Sequence, residues 1–204
     1  MAFIKNIIFD LGGVLLNIDY KKTEKAFNDL GVVNFKDMYA QFTADKLFES
    51  LETGHINEEN FYECMTERGV KPLQIKEVQN AWNAMLLDFR MESLHFLETL
   101  EGQYKLYLLS NTNAIHKAAF DTLFTAQTGF LEIEKYFTKT YYSHLIGLRK
   151  PHTEIYDFVL NDAGIIAGET LFIDDSINNI ESAAQIGILT HLLKPGEKIE
   201  DLVY

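Results

Sequence analysis

Residues 5–13 read KNIIFDLGG, and this stretch decides the fold. The apolar run is too brief for a helix, and Ile7, Ile8 and Phe9 stand side by side without the alternation of a half-exposed strand. Such a run, closed by Gly12 and Gly13, predicts a short strand over residues 5–10 buried on both faces, at the centre of a sheet. It carries a single carboxylate, Asp10, to the strand end.

Similar runs recur at residues 104–109 (YKLYLL), 138–142 (TKTYY), 170–174 (TLFID) and 188–193 (ILTHLL). Helical patterns lie between the later ones. Pro151 stands where a helix starts and Gly164 where one ends. Ile177, Ile180, Ala184 and Gly187 recur at spacings of three and four, which predicts a second helix over residues 176–187. Strands alternating with helices predict an α/β fold, a Rossmann-like parallel sheet flanked by helices on both faces, with its chemistry just beyond the C-terminal strand ends.

Residues 20–89 break the alternation. They contain no clear strand and predict helices over 21–30, 35–51, 58–68 and 73–88. Asn57 is placed as an N-cap before Glu58 and Glu59, and Gly69 as a helix stop. A helical insertion after the first strand follows. Phe42, Phe48, Phe61, Trp82 and Phe89 are its expected apolar core. Lys46, Glu49 and His55 could face a cleft, with a solvated helix face as the alternative.

At 204 residues, with 47% apolar residues and 3 prolines, the chain is expected to fold as one globular core with an insertion. Eighteen basic residues against 30 acidic ones leave a net charge of −12. That balance, with no Lys/Arg-rich block, argues against nucleic-acid or anionic-membrane partners. Cys64 alone cannot form an internal disulfide, and the N-terminal residues match neither a signal peptide nor a spanning helix, so a cytoplasmic protein is expected. His116, His144 and His152 do not converge on a metal-binding spacing. The sequence leaves the oligomeric state open.

Four strand ends carry suggestive polar residues: Asp10, Ser110 with Asn111, Lys150 in LRKP, and Asp174 with Asp175. Each alone reads as turn or cap chemistry. Together, on one sheet edge, they supply a carboxylate nucleophile, hydroxyl and amide donors, a fixed cation and paired acids for a metal. That inventory suits phosphoryl transfer.

The ordered set FDLGGVL, LLSNT, RKP and FIDDSINNI resembles the haloacid dehalogenase-like hydrolase superfamily, most of whose members are phosphatases. Its wording further resembles the branch that contains bacterial alpha-D-glucose-1-phosphate phosphatase. The resemblance implies a catalytic core from residues 1–18 and 90–204, a helical cap from 19–89, and hydrolysis of a small phosphorylated metabolite, such as a sugar phosphate, through an aspartyl-phosphate. It makes Asp10 the nucleophile, Ser110 and Asn111 the donors to the phosphoryl oxygens, and Lys150 the balancing cation. It implies Mg2+ held by Asp10, the Gly12 carbonyl and Asp175, with Asp174 bound directly or through a water. Asn178 or Asn179 would orient Asp174 and Asp175 or the lysine, or else lie on a solvated helix surface.

Gly12 departs from the common pattern, in which this position is a second Asp that protonates the leaving oxygen. General acid–base help is worth roughly 10²–10⁴ in rate, so a weaker catalyst favouring acidic leaving groups is expected. Asp19 is the nearest replacement acid in sequence, with helix capping as its alternative role. A metal-independent 2-haloacid dehalogenase also lacks that Asp, but it gives no reason for adjacent acids at 174 and 175. A phosphomutase would need the missing acid still more, and a non-catalytic phosphosugar-binding module would not need Asp10.

Overall fold

The computed structural model describes residues 4–41 and 43–203. Phe42, one of the expected insertion-core residues, lies outside them. The chain opens with β1 (Asn6–Phe9), every residue of which is buried. A tight turn follows, in which the Leu15 and Leu16 N–H groups donate to Leu11 O at 2.8 and 2.9 Å. It leads into β2 (Leu16–Ile18).

Next come α1 (Tyr20–Asp29), α2 (Phe35–Met38), β3 (Tyr39–Ala40), β4 (Thr43–Ala44), α3 (Lys46–Glu52), α4 (Glu58–Thr66), α5 (Ile75–Asn83) and β5 (Leu86–Phe89). Three features differ from the sequence expectation. The stretch 35–51 is two helices separated by a β3–β4 hairpin, because Asp45 N-caps α3 by accepting from the Leu47 and Phe48 N–H groups. The stretch 73–88 ends its helix at Asn83, and β5 then pairs antiparallel with β2. Helix α4 stops at Thr66, ahead of Gly69, while Asn57 caps it as expected, with its side chain accepting from Asn60 N at 2.9 Å.

The remaining elements are α6 (Met91–Leu100), β6 (Lys105–Ser110), α7 (Ala114–Thr128), β7 (Lys139–Tyr142), α8 (Ser143–Ile146), α9 (Thr153–Ala163), β8 (Thr170–Asp174), α10 (Ile177–Gln185) and β9 (Leu189–Leu192). The main sheet has the order β7-β6-β1-β8-β9, and all of its pairs are parallel. The sheet is therefore the parallel, helix-flanked α/β layer that the periodicity predicts. Strand β1 is its centre, with Phe9 opposite Leu108 on one side and Ile173 on the other.

Burial follows from the pleat. Ile7 and Phe9 point into one apolar cluster with Leu94, Leu97, Phe120 and Phe124, while Ile8 points to the opposite face with Ile155, Val159, Phe172 and Ala183. Helices α1 to α5 enclose a third cluster around Phe48, Phe61 and Trp82. Phe89 is not part of it; on β5 it joins the sheet's own core, edge-on to Phe124 at 5.2 Å. Among the described residues, no helix is long and apolar enough to cross a membrane.

Candidate active site

Because β1, β6 and β8 are parallel neighbours, their last residues arrive together. The ladder carries on past β1, with Asp10 N–H donating to Ile173 O at 2.9 Å, so Asp10 stands beside Asp174. Ser110 ends β6, and the segment carrying Lys150 closes over it. Asn111 fixes that segment: its Nδ2 donates to Lys150 O at 2.8 Å, and its Oδ1 accepts from Lys150 N at 2.9 Å. The next turn is held by Ser143, whose Oγ accepts from Thr112 N–H and donates to Thr112 O, both at 2.9 Å.

Lys150 is 1% exposed, and all three ammonium donors are engaged, by Asp10 Oδ1 at 2.8 Å, Asp174 Oδ2 at 2.7 Å and Leu109 O at 2.9 Å. Burial alone would lower its pKa, but the two carboxylates raise it above its ordinary value, so the side chain stays a cation. Asp174 is saturated as an acceptor. Oδ1 takes Ser176 N–H at 2.8 Å, Oδ2 takes Lys150, and the Asn179 amide reaches both oxygens at 3.0 Å. Of the two asparagines weighed from sequence, Asn179 is the one that holds Asp174.

Asp10, Asp174 and Asp175 each place a carboxylate oxygen within 4.8 Å of the others. Three acids face one lysine, and the excess negative charge shows in Asp10 and Asp175. Burial, then repulsion from Asp174 and Asp175, pushes Asp10 up to about 7 against the pull of Lys150. Burial, then Asp174, pushes Asp175 up to about 6. The cluster can hold all its charges only with a further cation. Hard carboxylate oxygens beside a backbone carbonyl suit Mg2+, so the donor set fits that ion.

The glycines of the turn differ in what they exclude. Gly13 has φ +73°, and a Cβ there would lie 2.3 Å from Asp175 Oδ2. A Cβ at Gly12 would instead meet Ile18 Cδ1 at 2.5 Å, so the tip of Ile18 fills the direction an acid side chain would take.

The sheet edge opens into a cleft of about 370 Å³, walled on the far side by residues of the helical insertion. Gln41, at the tip of the β3–β4 hairpin, donates to Asp175 Oδ2 at 3.2 Å. Tyr39 donates its hydroxyl to Glu52 Oε1 at 2.9 Å, and Arg149 holds Glu52 Oε2 through Nε and Nη2 at 3.0 and 2.8 Å. Tyr20 also lines the cleft. Burial, then Asp175, Glu52 and Asp10, keeps its hydroxyl protonated far above neutrality.

The chain's sequence matches the profile of the haloacid dehalogenase-like hydrolases over residues 4–187. It belongs to the haloacid dehalogenase-like hydrolase family. A D-ribitol-5-phosphate phosphatase of Bacteroides thetaiotaomicron is 32% identical over 188 residues, covering 92% of this chain and 90% of that one. A solved enzyme of the family from the same organism, an aspartate-to-alanine variant in complex with magnesium and inorganic phosphate, is 36% identical. It superposes with TM-score 0.91, covering 97% of this chain and 98% of its own. A solved haloacid dehalogenase-like hydrolase from Porphyromonas gingivalis is 32% identical with TM-score 0.86, over 96% and 94% of the two chains.

Within this family's fold, the structure brings together every motif residue singled out from sequence: Asp10, Gly12, Ser110, Asn111, Lys150, Asp174 and Asp175. Asp19 is not among the residues lining the cleft; it caps α1, accepting from Lys21 N–H at 3.0 Å. Of the three insertion residues weighed, Glu49 lines the cleft, while Lys46 is exposed and His55 pairs with Thr53. Sequence reasoning does not single out Tyr20, Tyr39, Gln41, Glu52 or Arg149. Only Arg149, next to Lys150 in LRKP, carries a signal. His116 lines the cleft but is a buried neutral ring, stacked on Trp82 at 4.4 Å, with Nε2–H toward Trp82 O at 3.1 Å.

Proposed function

We propose that this chain is a magnesium-dependent phosphatase acting on a small phosphorylated metabolite through an aspartyl-phosphate on Asp10. One observation carries the reading: a buried nucleophile-type carboxylate and its lysine, with two further acids, occupy one sheet edge with more negative charge than the lysine balances. A metal-independent dehalogenase gives no reason for that excess. The D-ribitol-5-phosphate phosphatase relative and the magnesium and phosphate complexes of the family point the same way. Residues 19–89 would act as the cap, supported by the separate apolar core of α1 to α5.

Asp10, Asp175 and the Gly12 carbonyl would hold the ion. When bound, Mg2+ supplies charge neutralisation for the phosphoryl oxygens. Asp174, with both oxygens saturated, instead anchors Lys150. The lysine, so anchored, favours the ionised form of Asp10, holds it toward the incoming phosphorus and balances the charge of the transferring group. The Ser110 hydroxyl, whose hydrogen bond to Asn111 O is long at 3.4 Å, is available to donate to a phosphoryl oxygen. Asn111 acts mainly as a brace for Lys150. The ester oxygen leaves as its phosphorus–oxygen bond breaks and takes its proton from water, since position 12 offers no acid. Water then attacks the phosphorus of the aspartyl-phosphate, breaking its bond to Asp10 and releasing phosphate and the free carboxylate.

The substrate is a sugar or polyol phosphate, glucose 1-phosphate being one member of that class, and the setting is cytoplasmic. A phosphate-release assay across such esters, with Mg2+ and then with EDTA, tests the activity. Release abolished by EDTA and restored by Mg2+ supports it, and EDTA-resistant turnover of a haloacid would overturn it.

A further inference from the structure

Glu52 is 3% exposed, lies at the end of α3, and faces the cleft rather than the apolar core of the helices. Burying a charge of this kind carries a desolvation cost, and well-packed apolar replacements of similar volume are often as stable. Fold stability thus leaves the position unexplained. The surroundings of Glu52 supply the reason. Its Oε1 accepts only Tyr39 of the two donors it can take, and the Tyr39 oxygen retains acceptor capacity of its own. Arg149 ties the group to the sheet edge, with Nη1 also meeting Glu49 at 3.2 Å.

Two carboxylates around one guanidinium leave this wall with a net negative charge. A second, apolar part of the cleft lining comes from Ile18 and Leu86. Hydroxyl groups satisfy such a polar wall and their C–H edges suit the other, whereas a second anionic group meets repulsion. The chain's net charge of −12 reinforces that repulsion.

We propose that Glu52, Tyr39 and Arg149 form the subsite for the leaving group, and that it selects neutral, hydroxyl-rich leaving groups against esters bearing a second anion. This rests on the phosphatase reading. The three side chains grip hydroxyls of the leaving group inside the cleft that Asp10 also lines, and orient the ester oxygen for departure.

Three esters test it, with Mg2+ present: ribitol 5-phosphate (neutral five-carbon polyol), 3-phosphoglycerate (three carbons, one hydroxyl and a carboxylate) and p-nitrophenyl phosphate (no hydroxyls). The unsubstituted enzyme is expected to prefer ribitol 5-phosphate over 3-phosphoglycerate by about 100-fold in kcat/KM, because the second anion meets the like charge of Glu49 and Glu52. Glu52→Gln is expected to narrow that preference. Glu52→Gln and Tyr39→Phe should each lower kcat/KM for ribitol 5-phosphate about tenfold more than for p-nitrophenyl phosphate, mainly through KM. Equal losses on the two esters, or a wild-type preference for 3-phosphoglycerate, would overturn the subsite. Should Glu52→Gln fail to fold, Tyr39→Phe decides alone, since it keeps the ring. No phosphate from any of the three esters would overturn the phosphatase reading itself, a separately recognisable result.

Discussion

Lys150 meets Asp174 Oδ2 at 2.7 Å, and the two side chains are 1% and 0% exposed. Asp174 is itself fixed by Ser176 N–H and Asn179 at the start of α10. The lysine is thus aimed at Asp10 from a rigid base, which is the preorganisation that electrostatic catalysis needs. The expected order of loss in kcat follows the chain of support: Lys150→Met largest, at about 10³-fold or more, Asp174→Asn next, and Asn179→Ala about tenfold. Steady-state phosphate release with saturating Mg2+ measures it. An Asn179→Ala loss exceeding that of Lys150→Met would contradict the assigned roles.

Gly13 should tolerate no side chain. Its φ of +73° disfavours any L residue by roughly 1–2 kcal/mol, and the added Cβ would displace the Asp175 carboxylate. Gly13→Ala is therefore expected to raise the Mg2+ concentration needed for half-maximal phosphate release, beyond any fall in thermal stability. An Mg2+ titration alongside a melting curve separates the two effects.

The sheet and the inner site were legible in the sequence because each depends on local signals. Strand β1 announces itself by three adjacent large apolar residues, and parallel order then forces Asp10, Ser110 and Asp174 onto one edge. The insertion was legible only as helical. Its hairpin has two-residue strands, too short for any periodicity, and β5 is a strand only because β2 lies beside it. Tyr39 and Glu52, thirteen residues apart, meet through the fold of α2, the hairpin and α3. No spacing rule encodes that meeting. Likewise, the saturation of Asp174 separates the two adjacent acids, which the sequence could not do.

His116 gives stability a pH dependence. Burial lowers its pKa from 6.5 to about 4, while the unfolded chain keeps the ordinary value. Between these values the unfolded state binds more protons, so stability rises with pH there. The contribution is complete above about pH 6.5 and is lost as pH falls toward 4, on the order of 3 kcal/mol in all. Asp10 and Asp175, raised above their ordinary values, pull the other way over the same interval, so the measurement is a difference: the urea midpoint of the unsubstituted chain minus that of His116→Asn is expected to fall between pH 7 and pH 5. Parallel slopes for the two proteins would remove His116 as the cause.

Gly12 offers the sharpest test of the chemistry. Its backbone does not require glycine, unlike that of Gly13, and the obstacle to a side chain is the flexible end of Ile18. Gly12→Asp combined with Ile18→Ala therefore makes room for a carboxyl beside the leaving oxygen. A general acid speeds the departure of a poor leaving group by roughly 10²–10⁴ when well placed, and it adds little where the leaving group is already a stable anion. The double variant is accordingly expected to gain in kcat on an alkyl ester such as ribitol 5-phosphate and to change little on p-nitrophenyl phosphate. The Ile18→Ala single variant serves as the reference for the opened space. A gain equal on both esters would mean that room, not proton transfer, limits the native site.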